Sequence, residues 1–215
     1  MEINIQANIM VRKSAISKDI NIMADIYDLP TSLTVGKKLY TIRSDFRTAI
    51  DIMIMFNDPE LSQQEKLISM LEILYEDLDG MALEDMETAA LQAIAFLDGG
   101  KMGNAEREDN THNKRLYDFE QDFSIIISAV NKVAGMEVRS LPYLHWWTFL
   151  GYFHEIKDGT FSEVLNIRYK KAYGKRLEKH EQEFYRRNRK MIDLRKRYTK
   201  EEEEYIAELQ RMLDS

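Results

Sequence analysis

The spacing of apolar residues divides the chain into a short β-prone start and a succession of amphipathic helices. Leu33-Thr34-Val35 and Leu39-Tyr40-Thr41-Ile42 flank Gly36-Lys37-Lys38, two β-prone runs around a glycine turn, which predicts a small hairpin. A hairpin of that size is marginal alone and must lie on the helices that follow. Ahead of it, Ile3, Ile5, Ala7, Ile9 and Val11 alternate as in a half-buried strand before the pattern becomes irregular. Phe46, Ala49, Ile50 and Met53 then fall on one face of a helix over residues 45–56, with Ser44 as its expected cap and Asn57-Asp58-Pro59 as its end. Ser62-Gln63-Gln64-Glu65 is a capping box opening a helix with Leu67, Leu71, Leu74 and Leu78 on its apolar face. A further helix runs from about Met81 to Leu97 through Leu83, Met86, Ala90 and Ile94, and stops at Gly99-Gly100. From Asp98 to Lys114 no period survives, which predicts a long exposed loop and the first point of proteolysis. Periodicity returns with Phe119, Phe123, Ile126, Val130 and Val133 and ends near Gly135.

The densest run of large apolar side chains is Leu141 to Ile156, which holds both tryptophans. Wound as a helix, with Pro142 in its first turn, it places Trp146, Phe149, Leu150 and Phe153 on one stripe and Leu144, Trp147 and Gly151 on adjoining faces. Apolar almost all round, it is expected to be the helix on which the others pack, with Trp146, Trp147, Phe149, Leu150 and Phe153 in the core. Lys157-Asp158-Gly159 turns the chain, and Thr160-Phe161-Ser162-Glu163 reads as a second capping box. Beyond it a helix of roughly 35 residues and about 50 Å could continue to Tyr198, with Gly174 its one interior glycine. Its stripe narrows to a heptad-like seam: Leu177, Phe184, Met191 and Tyr198 are spaced by sevens, with His180, Arg187 and Leu194 between. With two of those three intermediates polar, the seam is a poor coiled coil by itself and a candidate protein-binding face. Thr199 before Glu201 to Glu204 starts a last helix through Tyr205, Leu209 and Met212 or Leu213. The pattern predicts an all-α, multi-helix bundle with a small N-terminal β-hairpin and a long C-terminal helical arm. Its parts are an N-terminal extension over 1–28, hairpin and bundle over 29–160, and the basic helix with a short acidic one over 161–215.

Composition agrees with a helical chain: three prolines and nine glycines in 215 residues. Cysteine is absent, which removes disulfides, thiolate nucleophiles and Cys-based zinc sites and is compatible with a reducing cytoplasm. No apolar run approaches the ~18 residues of a membrane span, and the first 21 residues lack the apolar core of a secretory signal. The net charge of −7 conceals an asymmetry. Residues 1–167 carry 15 Lys and Arg against 27 Asp and Glu, residues 168–200 carry 14 against 4, and residues 201–215 carry 1 against 6. An acidic body, a basic arm and an acidic tip imply charge complementarity within or between chains as readily as an outside partner.

Motifs for chemistry fail on spacing. Asp77-Leu78-Asp79-Gly80 resembles part of a calcium loop, but with Gly80 at the sixth position Tyr75 and Met86 occupy the first and twelfth, where carboxylates belong. Gly99-Gly100-Lys101-Met102-Gly103 lacks the spacing and the hydroxyl of a phosphate loop and follows a helix. His145 and His154 lie nine apart, on opposite sides of a helix, while His112 and His180 fall elsewhere, so no metal set forms. Without a nucleophile motif the expectation is a non-enzyme with no cofactor and no metal. The basic arm, with Tyr169, Tyr173 and Tyr185 interleaved, could track a phosphate backbone, contact a protein or remain a solvated face. Five methionines, Met53, Met55, Met70, Met81 and Met86, crowd the acidic half as core filler or as an adaptable groove.

Four stretches together resemble one family. They are Leu29-Pro30-Thr31-Ser32, Ile42-Arg43-Ser44-Asp45-Phe46-Arg47, Tyr117-Asp118-Phe119-Glu120-Gln121-Asp122 and, most specific, Tyr143-Leu144-His145-Trp146-Trp147-Thr148-Phe149. The chain is similar, from about Leu29 to Tyr185, to the bacteriophage gene-product-fifteen family, late proteins of long-tailed phages of Gram-positive bacteria. Its first 28 residues depart from the family's compact start. The resemblance implies virion morphogenesis in the bacterial host cytoplasm. Genes of the family lie between those of the tail tube protein and the tape measure protein, the place of tail assembly chaperones. Such a protein would coat the tape measure protein until tube subunits replace it, as a homo-oligomer or in many copies, with no catalytic residues and no membrane. The contact would be the seam Leu177, His180, Phe184, Arg187, Met191, Leu194 and Tyr198, or the methionine groove. The alternative is a nucleic-acid-binding or regulatory protein acting through residues 168–200.

Overall fold

The computed structural model describes residues 29–100 and 114–213. Ser32–Val35 (β1) and Lys38–Thr41 (β2) pair antiparallel with Val35 opposite Lys38. This leaves a two-residue turn in which Gly36 takes φ +60°, a conformation that costs glycine little. Leu33 and Val35 enter the core. Nine helices follow among the described residues: Phe46–Phe56 (α1), Gln63–Leu74 (α2), Met86–Leu97 (α3), Phe123–Ala134 (α4), Trp146–His154 (α5), Thr160–Ala172 (α6), Lys179–Arg187 (α7), Arg189–Ile192 (α8) and Lys200–Leu213 (α9). The molecule is mostly helical, with the expected hairpin at the start of the described chain. β1 lies on α3, α1 packs on α2 and α5, and α4 on α5 and α6. No helix among the described residues is long and apolar enough to cross a membrane. The alternating start and most of the Asp98–Lys114 loop lie outside the described residues.

At the centre, two segments remote in sequence cross as an antiparallel bridge, Asp45 opposite His145. The Phe46 N–H donates to the Leu144 carbonyl (2.9 Å), the Trp146 N–H to that of Ser44 (2.8 Å), and the Leu144 N–H to the Asp45 carboxylate (2.9 Å). This bridge shifts two expected helix starts. Asp45, not Ser44, caps α1 by accepting from the Arg47 N–H, while Ser44 hydrogen-bonds the Tyr143 hydroxyl. Because Leu144 and His145 must be extended to bridge, α5 begins at Trp146 and Pro142 lies outside it. His145 is the cap: Nδ1 accepts from the Trp147 N–H (3.0 Å), so the ring proton is on Nε2, which donates to the Pro30 carbonyl (3.0 Å). Burial holds this imidazole below its ordinary pKa, against the opposing pull of the Pro30 contact.

The tryptophans do more than fill space. The last carbonyls of a helix have no partner inside it. Those of Phe96 and Leu97 accept from the indole N–H of Trp147 (2.8 Å) and Trp146 (2.9 Å), so α5 closes the end of α3. Trp146, Phe149 and Leu150 are buried with Phe153, and Trp147 is half-buried against the same core. Phe149 stacks on Phe46 at 4.8 Å between ring centroids. α3 ends as its glycines predict: Gly99 and Gly100 are left-handed, and the Gly100 N–H reaches the Ala95 carbonyl (2.8 Å).

Elsewhere tertiary pairing overrides local pattern. α2 stops at Leu74, ahead of Leu78, because Tyr75 extends to bridge Ile42 and Arg43 lays its guanidinium across the carbonyls of Glu72, Ile73 and Tyr75. Leu83 lies in a 3-10 turn (Leu83–Asp85) and points outward, so the buried face of α3 begins with Ala89 and Ala93. Thr160 is already helical, so the second capping box does not form and Gly159 takes the cap position. The largest departure is the arm. Instead of one helix to Tyr198, α6 ends at Ala172, Gly174 turns left-handed, and the Lys175 N–H bonds the Lys170 carbonyl (2.7 Å). Folding back here covers apolar side chains that a projecting helix would leave in water.

Replacing Trp146 with Ala is expected to cost about 3–5 kcal/mol, read as a lower midpoint in urea unfolding, because a fully buried ring and a carbonyl partner are lost together. Gly100→Ala should be more damaging than Gly80→Ala. Both glycines are left-handed, worth about 1–2 kcal/mol for any other residue. Only at Gly100 would the new Cβ also meet the Trp147 ring, at 2.8 Å, whereas Gly80 has nothing within 4 Å.

Candidate partner-binding surfaces

The predicted seam is folded inward at three of its seven positions. Leu177, Phe184 and Met191 pack on the cluster formed by Val164, Ile167 and Ile192. Leu194 is half-buried, and Tyr198 is partly exposed at a shallow recess shared with Pro59, Gln121 and Arg195. His180 and Arg187 face solvent, Arg187 paired with Glu183 and His180 3.5 Å from Glu178. The structure thus brings three of the seven seam residues onto one internal cluster and leaves the others at its margin.

What holds the segment back is charge pairing across long stretches of sequence. Arg168 is buried and makes a two-point contact with the buried Asp122 (2.5 and 2.9 Å). It also donates to the carbonyls of Leu116, Met191 and Ile192, tying α6 to the start of α4 and the end of α8. Gln121 accepts from the Arg195 N–H and donates to the carbonyls of Met191 and Asp193. Buried Asp118 pairs with Arg115 and Arg197. Burial works to raise the Asp118 carboxyl, but the Gln121 N–H and Arg197 outweigh it and leave it below its ordinary range. Glu181 is lowered by Lys170 and the Glu178 N–H. Asp193, despite its own burial, is lowered by Lys171 and the Tyr185 hydroxyl.

Arg168, Lys170, Lys171, Arg187, Arg189 and Arg197 are therefore neutralised within the chain. Exposed Arg176, Lys179, Arg186, Lys190, Arg195 and Lys196 enter no ion pair among the described residues. Reasoning from sequence missed the Asp118 and Asp122 anchors. The available signal was two carboxylates immediately ahead of an apolar helix in an otherwise amphipathic stretch.

The acidic half offers a different surface. Leu83 is 89% exposed between Gly80 and α3, and Leu39 and Ile68 are also exposed. Around Leu83 in sequence stand Glu76, Asp77, Asp79, Glu84 and Glu87, exposed and without ion-pair partners among the described residues. The methionines form no open groove: Met53, Met70 and Met81 are buried, and Met55 and Met86 are half-buried against the core. Asp77 accepts from the Asp79 N–H in a simple turn. No group of His, Asp and Glu among the described residues could hold a metal ion.

The last helix starts as its sequence predicts. Thr199 accepts from the Glu202 N–H (3.2 Å), and the Glu202 carboxylate accepts from the Thr199 N–H (2.9 Å). Along α9, Tyr205 (62%), Leu209 (39%) and Met212 are exposed and Ile206 is half-buried.

A model of one family, described as Bacteriophage Gp15 protein, matches residues 26–194, most of the chain; the match ends before α9. Neither a curated protein nor a solved structure matches the chain.

Removing one partner of the buried pair, as in Arg168→Ala, should cost about 3–5 kcal/mol, and pairing Arg168→Met with Asp122→Leu should cost less, since no charge is then left buried alone. Unfolding midpoints of the single and double variants check this. Acid should release the C-terminal segment. Asp118, Glu181 and Asp193 have folded pKa values below their unfolded ones, so their contribution is complete above about pH 4–5 and is lost as pH falls through the folded values, while their Lys and Arg partners stay charged. Hydrogen exchange at the Arg195 amide should then accelerate before the amides of α5 lose protection.

Proposed function

Because the chain belongs to the bacteriophage Gp15 protein family, we propose that it is a non-enzymatic tail assembly chaperone. It is made in the host cytoplasm during virion morphogenesis, and it binds and shields the tape measure protein until tail tube subunits take its place. The observation that carries this reading is Leu83, a large apolar side chain 89% exposed on a helical body amid carboxylates that have no ion-pair partner among the described residues. Such a surface suits a helix that presents apolar residues flanked by Lys or Arg, the kind of segment a long helical client supplies in repeated copies. Binding of this sort shifts the client toward its soluble form by mass action, and tube subunits with higher affinity reverse it. Three residues of the seam first expected to make the contact, Leu177, Phe184 and Met191, pack on the Val164, Ile167 and Ile192 cluster instead, and the ion pairs of Arg168, Lys170, Lys171, Arg187, Arg189 and Arg197 leave less of the basic segment for a phosphate backbone.

Co-expression with the tape measure protein tests the proposal. The client should become soluble and co-purify; a client that stays insoluble and unbound overturns it. Leu83→Asp should reduce recovery of the complex by about tenfold, equivalent to about 1.4 kcal/mol. Its unfolding midpoint should stay within about 0.5 kcal/mol of the parent, as for other exposed positions. Tight binding of duplex DNA that weakens steeply with salt would instead assign the function to residues 168–200.

A further inference from the structure

Two surfaces of opposite charge carry side chains with no ion-pair partner among the described residues. On α9, Tyr205 and Leu209 are one helical turn apart and exposed. Glu201 lies four residues before Tyr205 and Glu208 three after, so both carboxylates rim the same stripe. An isolated helix of 14 residues is marginal in water, and this one is stable in proportion to what covers its stripe. On α7, Lys179 and Arg186 line a shallow recess with Gln182 and Glu183, and exposed Lys190 follows on α8. Glu183 is occupied by Arg187, which leaves the positive charge of Lys179 and Arg186 in excess there.

Among the described residues no ion pair joins α9 to α7 or α8 of the same chain. The root of α9 is pinned elsewhere. Arg197 is held by Asp118 and Glu120, and the Lys200 N–H by the Glu60 carboxylate beside the α1–α2 turn (2.5 Å).

We infer that α9 of one copy docks on the outer face of α7 and α8 of a second copy. The carboxylates of Glu201, Glu204 and Glu208 meet Lys179, Arg186 and Lys190, and the Tyr205–Leu209 stripe lies on the aliphatic stems of those cations. Each copy keeps one donor helix and one acceptor face, so the contact is head-to-tail and repeats into a ring or an open array. This arrangement needs no client and stands independently of the chaperone reading.

Sedimentation velocity of the full chain without client, over a concentration series at low salt, tests it. Average mass should rise past a dimer with concentration and fall as salt screens the contact. The triple variants E201K/E204K/E208K and K179E/R186E/K190E should each weaken association by at least about tenfold. Their equimolar mixture should recover association in one-to-one stoichiometry and past a dimer, because the basic α9 of the first faces the acidic α7–α8 of the second and the acidic α9 of the second faces the unchanged cations of the first. Y205S/L209S should weaken association with charge unchanged. A chain that stays monomeric throughout overturns the inference, as does a mixture that stays apart. So does a dimer insensitive to K179E/R186E/K190E, which would indicate α9 pairing with α9, or a cation face that binds duplex DNA without self-association.

Discussion

The crossing of Ser44-Asp45 with Leu144-His145 sets the geometry of the rest of the molecule. Backbone N–H groups cannot be buried unpaired without a penalty of about 1–3 kcal/mol each. Here two helix N-termini solve that problem with one exchange: Phe46 bonds Leu144 and Trp146 bonds Ser44. The exchange fixes the first residue of both α1 and α5, and with it the direction in which Trp146 and Trp147 leave the backbone. Their indoles then reach the last carbonyls of α3. Three helices from separate parts of the chain are thus joined by polar contacts inside an apolar core, which selects one packing among the many that hydrophobic burial alone would allow.

A second lock governs the C-terminal part. Burying Arg168 and Asp122 carries a desolvation penalty that the ion pair alone offsets poorly. The carbonyls of Leu116, Met191 and Ile192 take the remaining guanidinium protons, so the group is satisfied in the folded-back arrangement. A projecting arm would leave Leu177, Phe184 and Met191 in water and would take the Met191 and Ile192 carbonyls away from Arg168. Both terms favour the turn at Gly174, and the basic segment becomes a wall of the body rather than a free arm.

The charge asymmetry is thereby reorganised. Five exposed carboxylates stand near Leu83 in sequence, cations without ion-pair partners among the described residues remain on the outer face of α7 and α8, and the acidic α9 leaves from a third place. A chaperone reading and a self-association reading use different parts of this surface, so a change at one site need not disturb the other.

Local features were legible from the residues alone. Glycine at 36, 99, 100 and 135 marks the turn and two helix ends because a left-handed backbone is nearly free only for glycine. The Ser62 and Thr199 caps act within four residues, and the apolar stripes of α1, α4 and α5 follow the helical period. The His-Trp-Trp wording, together with three other stretches, pointed to the family. Tertiary structure decided the rest, since the deciding partners lie far apart in the chain: Asp45 with Leu144, Trp147 with Phe96, Arg168 with Asp122, Gln121 with Arg195. Periodicity reports which face of a helix avoids water but not which carboxylate waits for a cation 46 residues away. For that reason the heptad-like seam read as an outward binding face, and only the folded chain turned its Leu177, Phe184 and Met191 inward.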